Sequence, residues 1–125
     1  MNGSSIDQVL IRSRRSLDRV EPDRLAAEMA AGALVVDIRP VEDRDREGLL
    51  PGAVVVGRNV LEWRLDPTSP DRIAEAVDPD RRVVLVCNEG YASSLAAESL
   101  QRVGLRRATD LVGGYRAWRA LQLLT

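Results

Sequence analysis

Cys87 is the only cysteine in the chain, and it sits where a reactive sulfur is well placed. The run Arg82-Val83-Val84-Leu85-Val86 has the length and β-branched character of a strand, and Cys87 ends it. The loop Asn88-Glu89-Gly90-Tyr91-Ala92-Ser93 follows, and then the helix-prone stretch Ser94-Leu95-Ala96-Ala97-Glu98-Ser99-Leu100. In a strand–loop–helix of this kind, backbone N–H groups converge on the start of the loop, and the helix N-terminus adds partial positive charge. Both effects favour thiolate, the nucleophilic form of cysteine, over thiol. The bland alternative is a small buried hydrophobe at a strand end. The loop context favours the reactive reading.

What the chain lacks narrows the chemistry. It has no histidine, which rules out Cys–His pairs, Ser-His-Asp triads and HExxH sites. One cysteine and no histidine also exclude a structural zinc site, so no metal is expected. All 18 basic residues are arginine, which removes Schiff-base chemistry and the lysine of a phosphate-binding loop. A net charge of −1 gives no field for nucleic acid. At 125 residues, 45% hydrophobic and 30% charged, the composition fits one soluble globular domain. No apolar run approaches the roughly 20 residues that cross a bilayer, so no membrane partner is expected. The segment Met1-Asn2-Gly3-Ser4-Ser5 lacks a secretory pattern, and a lone cysteine suits a reducing, cytoplasmic setting.

The elements that must position Cys87 can be read along the chain. Ile6, Val9, Leu10, Leu17 and Val20 predict a first helix over Ser5 to Val20, with Arg12, Arg14, Arg15 and Arg19 forming a solvated polar side. A second helix starts at Glu21-Pro22, presents Leu25, Ala26, Met29 and Ala30, and ends at Gly32. Ala33 to Asp37 reads as a strand, Val41 to Glu47 as a surface helix with i,i+4 ion pairs, and Ala53 to Val56 as a second buried strand. A short helix is expected over Asp71 to Val77. The helix after Cys87 ends near Gly104, Ala108 to Val112 is a last strand, and Gly113-Gly114 opens a C-terminal helix from Tyr115 to Leu123. Buried strands alternating with helices predict an α/β fold with a mostly parallel central sheet.

Three segments, in this order and spacing, resemble the rhodanese (sulfurtransferase) family. They are Leu34-Val35-Val36-Asp37-Ile38-Arg39 with the later Pro51-Gly52-Ala53, Val84 to Ser93, and Thr109 to Trp118. The resemblance implies a three-layer domain with helices on both sheet faces, spanning residues 19–125 behind an N-terminal helical extension, residues 1–18. It implies sulfur transfer through a persulfide on Cys87, with no cofactor. The partners would be a small donor such as thiosulfate or a persulfide, and a thiol, cyanide or protein acceptor. Substrate would meet Asn88, Glu89, Gly90, Tyr91, Ala92 and Ser93, with Tyr91 as a solvent-facing lid.

Several readings attach to particular residues. Asp37 and Arg39, at a strand end, are read as tying loops together, against a direct role on substrate. Arg58, after the second strand, is a candidate to reach the sulfur, against a plain surface ion pair. Gly113, Gly114 and Trp118 are expected to pack, and Trp63 to anchor its loop on the core. The chain departs from the family in two places. Leu49-Leu50 replaces a common histidine before Pro51-Gly52-Ala53, and Ala92 stands where many members carry a loop arginine. With Glu89 in the loop and no basic residue there, a doubly charged donor is disfavoured. The second reading is therefore a catalytically weak binding or regulatory module. Related phosphatases have a longer loop whose terminal arginine grips phosphate; Ser93 occupies that position here, which argues against phosphatase chemistry.

Overall fold

The computed structural model describes residues 5–124. Residues 1–4 of the expected extension and residue 125 of the expected domain lie outside the described residues. Four strands form a sheet: β1 (Leu34–Asp37), β2 (Val54–Val55), β3 (Val83–Val86) and β4 (Ala108–Asp110). Their order is β2-β1-β3-β4, and every pairing is parallel. The six α-helices among the described residues are α1 (Ile6–Arg14), α2 (Leu25–Ala30), α3 (Val41–Glu47), α4 (Leu61–Leu65), α5 (Ala92–Val103) and α6 (Gly114–Leu123).

Alternation along the strands sends side chains to two cores, which explains why β1 and β3 are apolar at nearly every position. On one face Leu34, Val36, Val83 and Leu85 meet Leu61 and Leu65 of α4 and Ala96, Ala97 and Leu100 of α5. On the other, Val35, Val84 and Val86 meet Leu25 of α2 and Tyr115 of α6, with Trp118 half-buried beside them. This is the expected three-layer arrangement. Register decides the site. Asp37 pairs with Val86 and Leu85 with Asp110, so Asp37, Cys87 and Asp110 arrive together at the carboxyl edge of the sheet, the edge where open parallel sheets place their sites. No helix among the described residues is long and apolar enough to cross a membrane.

The structure corrects several expectations. The first helix ends at Arg14 rather than Val20. Val20 instead forms a parallel bridge with Leu111, donating to the Asp110 carbonyl at 2.9 Å and accepting from Val112 N at 2.8 Å. The helical spacing of Leu17 and Val20 persists by chance, because both are apolar contacts of non-helical chain. Of the expected apolar face of α2, Leu25 is buried and Met29 half-buried, while Ala26 and Ala30 are exposed. The second strand is a two-residue edge strand with Val55 exposed, since it has a neighbour on one side only. No helix forms over Asp71 to Val77. There Asp66 Oδ1 accepts from Thr68 N and Ser69 Oγ accepts from Asp71 N, and such local bonds compete with helical ones. The α3 ion pairs are not i,i+4: Arg46 pairs with Asp43 and Glu47. Trp63 is 60% exposed, so most of its surface faces solvent rather than anchoring its loop on the core.

Candidate functional site

Cys87 lies one residue past β3, 8% exposed, in the wall of a cavity of about 330 Å³. The loop that follows wraps around it. Gly90 N–H donates to Sγ at 3.1 Å and Ser93 N–H at 3.3 Å. Ser93 belongs to the first turn of α5, whose N–H groups have no intrahelical acceptor and are free to serve the sulfur. The Cys87 thiol in turn donates to Ser93 Oγ at 3.2 Å. Gly90 has φ +86°, a left-handed conformation that turns its N–H inward, so the loop glycine has a conformational reason to be there.

The loop is fixed from below by α6. Tyr115 N–H donates to the Cys87 carbonyl at 2.8 Å and Arg116 N–H to the Asn88 carbonyl at 3.1 Å. So close an approach requires Gly114: a Cβ there would lie 2.5 Å from the Cys87 carbonyl oxygen and 2.7 Å from Gly90 N. The packing expected of this glycine pair is thus a contact with the cysteine loop itself.

Behind the sulfur lies a buried carboxylate. Asp110 Oδ2 accepts from Ser93 Oγ at 2.7 Å and from Ser94 Oγ at 2.8 Å, and Arg19 pairs with it through Nε at 2.8 Å. Asp37 and Arg39 form a second buried pair. Arg39 Nη2 donates to Asp37 Oδ2 and to the Gly48 carbonyl, both at 2.8 Å, and its guanidinium lies 3.9 Å from the Tyr115 ring centre. Arg39 Nη1 reaches Asn88 Oδ1 at 3.4 Å. Arg39 is 1% exposed, and with Asp37 it ties the end of β1 to the Gly48 carbonyl and to Asn88 of the cysteine loop.

At the rim, charge is distributed differently from the sequence reading. Glu89 is 58% exposed and pairs with Arg116 at 3.1 Å, so its charge is offset by an arginine from α6. Arg116 also grips Glu47 through Nε at 2.9 Å and Nη2 at 3.1 Å, and Asn88 Nδ2 donates to Glu47 at 2.9 Å. These bonds, those of Arg116 first and then that of Asn88, hold the Glu47 carboxyl down at about 2. A carboxyl lowered in the folded state stabilises the fold fully above its unfolded value, near 4.5, and stops doing so as pH falls to about 2. Melting temperature therefore drops more steeply between these pH values in the parent than in Glu47→Gln, a difference that differential scanning calorimetry reads directly.

Arg58, Tyr91 and Ala92 all border the cavity with Cys87. Arg58 therefore does reach the mouth, and it is also ion-paired, with Glu62 at 3.0 Å. Partial burial raises the Glu62 carboxyl, but hydrogen bonds from Ser99 Oγ and its own backbone, together with Arg58, outweigh this and leave it below its ordinary value. Arg58 thus faces a carboxylate that stays charged. Tyr91 is 58% exposed at the mouth, where a lid would sit. A larger depression, about 590 Å³, lies at the opposite ends of the strands around Arg82, which is already paired with Asp18 and Glu28. It is remote from the sulfur.

Sequence reasoning missed Asp110, Glu47, Arg116, Arg14 and Arg19 as parts of the site. Asp110 carried a usable signal, an acid at the end of a buried strand. The arginines carried none, being spread among 18 of one type. The expected solvated arginine face of the first helix is corrected here: Arg14 and Arg19 both donate to the Gly90 carbonyl.

A buried sulfur under converging N–H groups at the edge of a parallel sheet, with a glycine-dependent loop, defines the architecture of a cysteine-loop α/β domain. The chain belongs to the rhodanese-like domain family, whose model matches residues 21–121. It is 33% identical over 101 residues to the thiosulfate sulfurtransferase GlpE of Stutzerimonas stutzeri, an alignment covering 81% of this chain and 84% of that one. Among solved structures it resembles the human single-domain sulfurtransferase TSTD1, with 26% identity, a TM-score of 0.70, and coverage of 82% and 95% of the two chains. It also resembles a Rhodopseudomonas palustris protein of unknown function described as a possible tyrosine phosphatase, with 29% identity, a TM-score of 0.85, and coverage of 98% and 94%.

Proposed function

We propose that the chain is a sulfurtransferase that carries sulfane sulfur as a persulfide on Cys87. The carrying observation is the pair of backbone donors, Gly90 N and Ser93 N, aimed at one sulfur in the wall of an open cavity. Two N–H donors aimed at one atom hold the sulfur in place at the cavity from which a donor approaches. With thiosulfate as donor, the Cys87 thiolate attacks the sulfane sulfur. The new S–S bond forms as the bond to the sulfonate sulfur breaks, and sulfite leaves with that electron pair. A thiol, a protein thiol or cyanide then attacks the outer sulfur and returns Cys87 as thiolate, so no external oxidant or reductant is needed. A reducing, cytoplasmic setting suits a chemistry that needs this cysteine free.

In this reading Asn88, Glu89, Tyr91 and Ala92 line the approach to the sulfur, Gly90 and Ser93 hold it through their N–H groups, Arg58 meets the donor's negative charge at the mouth, and Asp37 and Arg39 keep the loop in place. Family membership and the sulfurtransferases among its relatives support it. The test is the intact mass of the full chain after incubation with thiosulfate or a persulfide donor, and the expected result is the addition of one sulfur atom. A chain that never gains sulfur and binds the donor unchanged would instead be the weak binding module that Glu89 and Ala92 first suggested. Phosphatase chemistry is not proposed. Ser93 stands at the position of the phosphate-gripping arginine, and its N–H and hydroxyl are engaged with Cys87 and Asp110.

Glu89 modulates the donor only mildly in this geometry. An exposed, paired carboxylate interacts weakly with its surroundings. Glu89→Gln lowers the KM for thiosulfate by about threefold at low salt and has little effect at high salt, because screening removes long-range repulsion. Steady-state assays across ionic strength check this; an unchanged KM at low salt would mean that Arg116 already neutralises the charge in full.

A further inference from the structure

Arg14 and Arg19 lie outside residues 21–121, the part of the chain that the family model matches, yet both reach the cysteine loop. Arg14, the last residue of α1, donates from Nη2 to the Gly90 carbonyl at 2.8 Å and from Nε to Ser94 Oγ at 2.9 Å. Its guanidinium lies 5.9 Å from the centre of the Tyr91 ring. Arg19 donates to the same Gly90 carbonyl at 3.0 Å. Two cations thus converge on one carbonyl of the residue whose N–H holds the sulfur.

The physical consequence follows from glycine. Gly90 has more accessible backbone conformations than any other residue type, and its left-handed geometry must persist for its N–H to point at Sγ. Charge-assisted bonds are about twice as strong as neutral ones, and two of them fix the plane of the Gly90–Tyr91 peptide. That plane is rigid and trans, so the Tyr91 N–H is directed away from the two guanidiniums. The loop has no basic residue of its own, and positive charge reaches it from behind, through α1 and the segment that follows. Arg19 is also tied to Asp110 and flanks the Val20 bridge, so it serves the fold as well. Arg14 does not border the cavity; it meets Gly90, Tyr91 and Ser94, all in or next to the loop.

We infer that Arg14 is a positioning residue for Cys87: the N-terminal helix completes the cysteine loop by holding the Gly90 carbonyl and Ser94. The sulfur-transfer part of its test rests on the function proposed above, but the reactivity part does not. In Arg14→Ala, alkylation of Cys87 by iodoacetamide at fixed pH slows about tenfold, the scale on which a small misplacement of a reacting group costs rate. The kcat for sulfur transfer falls in proportion, while KM for thiosulfate changes by less than about twofold, because Arg14 faces the back of the loop. Arg14→Lys, which keeps the charge but not the fork, falls between, and added guanidinium ion partly restores Arg14→Ala. Arg15→Ala, at an exposed neighbour, behaves as the parent. If Arg14→Ala melts below the assay temperature, Arg14→Gln is read instead.

Parent-like alkylation in Arg14→Ala and Arg14→Gln overturns the inference. So does a loss that follows only the unfolded fraction seen by circular dichroism and is not rescued by guanidinium or lysine. A parent chain that takes up no sulfur, while Arg14→Ala still slows alkylation, sinks the sulfurtransferase reading and leaves the positioning role standing.

Discussion

Cys87→Ser takes up no sulfur from thiosulfate or from a persulfide donor, and its intact mass stays unchanged where the parent gains one sulfur atom. Oxygen in place of sulfur cannot form the persulfide, so the loss is complete rather than partial. The fold barely notices. The serine hydroxyl is smaller than the thiol and finds Gly90 N–H, Ser93 N–H and Ser93 Oγ already arranged around it. A buried hydroxyl with partners costs little, so the melting temperature stays within about 4 °C of the parent, the shift that about 1 kcal/mol produces in a domain of this size. Mass spectrometry and a calorimetric scan on the same sample read both halves. A variant that still gains sulfur would move the chemistry off Cys87. One that unfolds would make Cys87 a core residue first and a reactive one second.

The second large effect is structural. Arg39→Ala destabilises the protein by about 3–5 kcal/mol, because it leaves the Asp37 carboxylate buried without its cation. That is a large share of the roughly 5–15 kcal/mol that holds a typical domain folded. Asp37 is 1% exposed, so water cannot replace the lost partner. The Gly48 carbonyl and Asn88 lose a donor at the same time, and the cation over the Tyr115 ring disappears. The pair itself contributes much less than its rupture suggests, because burying two charges consumes most of what their attraction returns. Asp37→Asn with Arg39→Ala is therefore more stable than Arg39→Ala alone. Urea unfolding of the two single variants and the double, followed by circular dichroism, measures this coupling. A double variant no more stable than Arg39→Ala would mean that the contacts to Gly48, Asn88 and Tyr115, rather than the stranded Asp37 charge, carry the effect.

The local order around Cys87 was legible in the residues themselves. Val83 to Val86 and Leu34 to Asp37 are short apolar runs because both faces of each strand are covered, and a fully covered strand has little choice of residue type. Gly113 and Gly114 were legible as a packing pair because the absence of a side chain lets α6 come against the cysteine loop. From these alone came a parallel sheet with a cysteine at its carboxyl edge, a tight loop and a following helix. The same kind of reading failed where an element is shaped by what it lacks. Val54 and Val55 are as apolar as any strand but lie at an edge, and Asp71 to Val77 is tied to Ser69 and to Arg64 of α4.

Which charges face that loop was decided only by tertiary structure. Arg14 and Ser94 are 80 residues apart, and Arg19 and Asp110 are 91 apart. Among 18 arginines and 19 acids no local pattern selects these partners. Selection comes from strand register, which brings Asp110 level with Leu85, and from the Val20–Leu111 bridge, which brings Arg19 to Asp110. The absence of a basic residue between Asn88 and Ser93 was a correct statement about the sequence. It said nothing about the loop's electrostatic surroundings, because a charge acts through space and the chain folds Arg14, Arg19 and Arg116 around the loop from elsewhere.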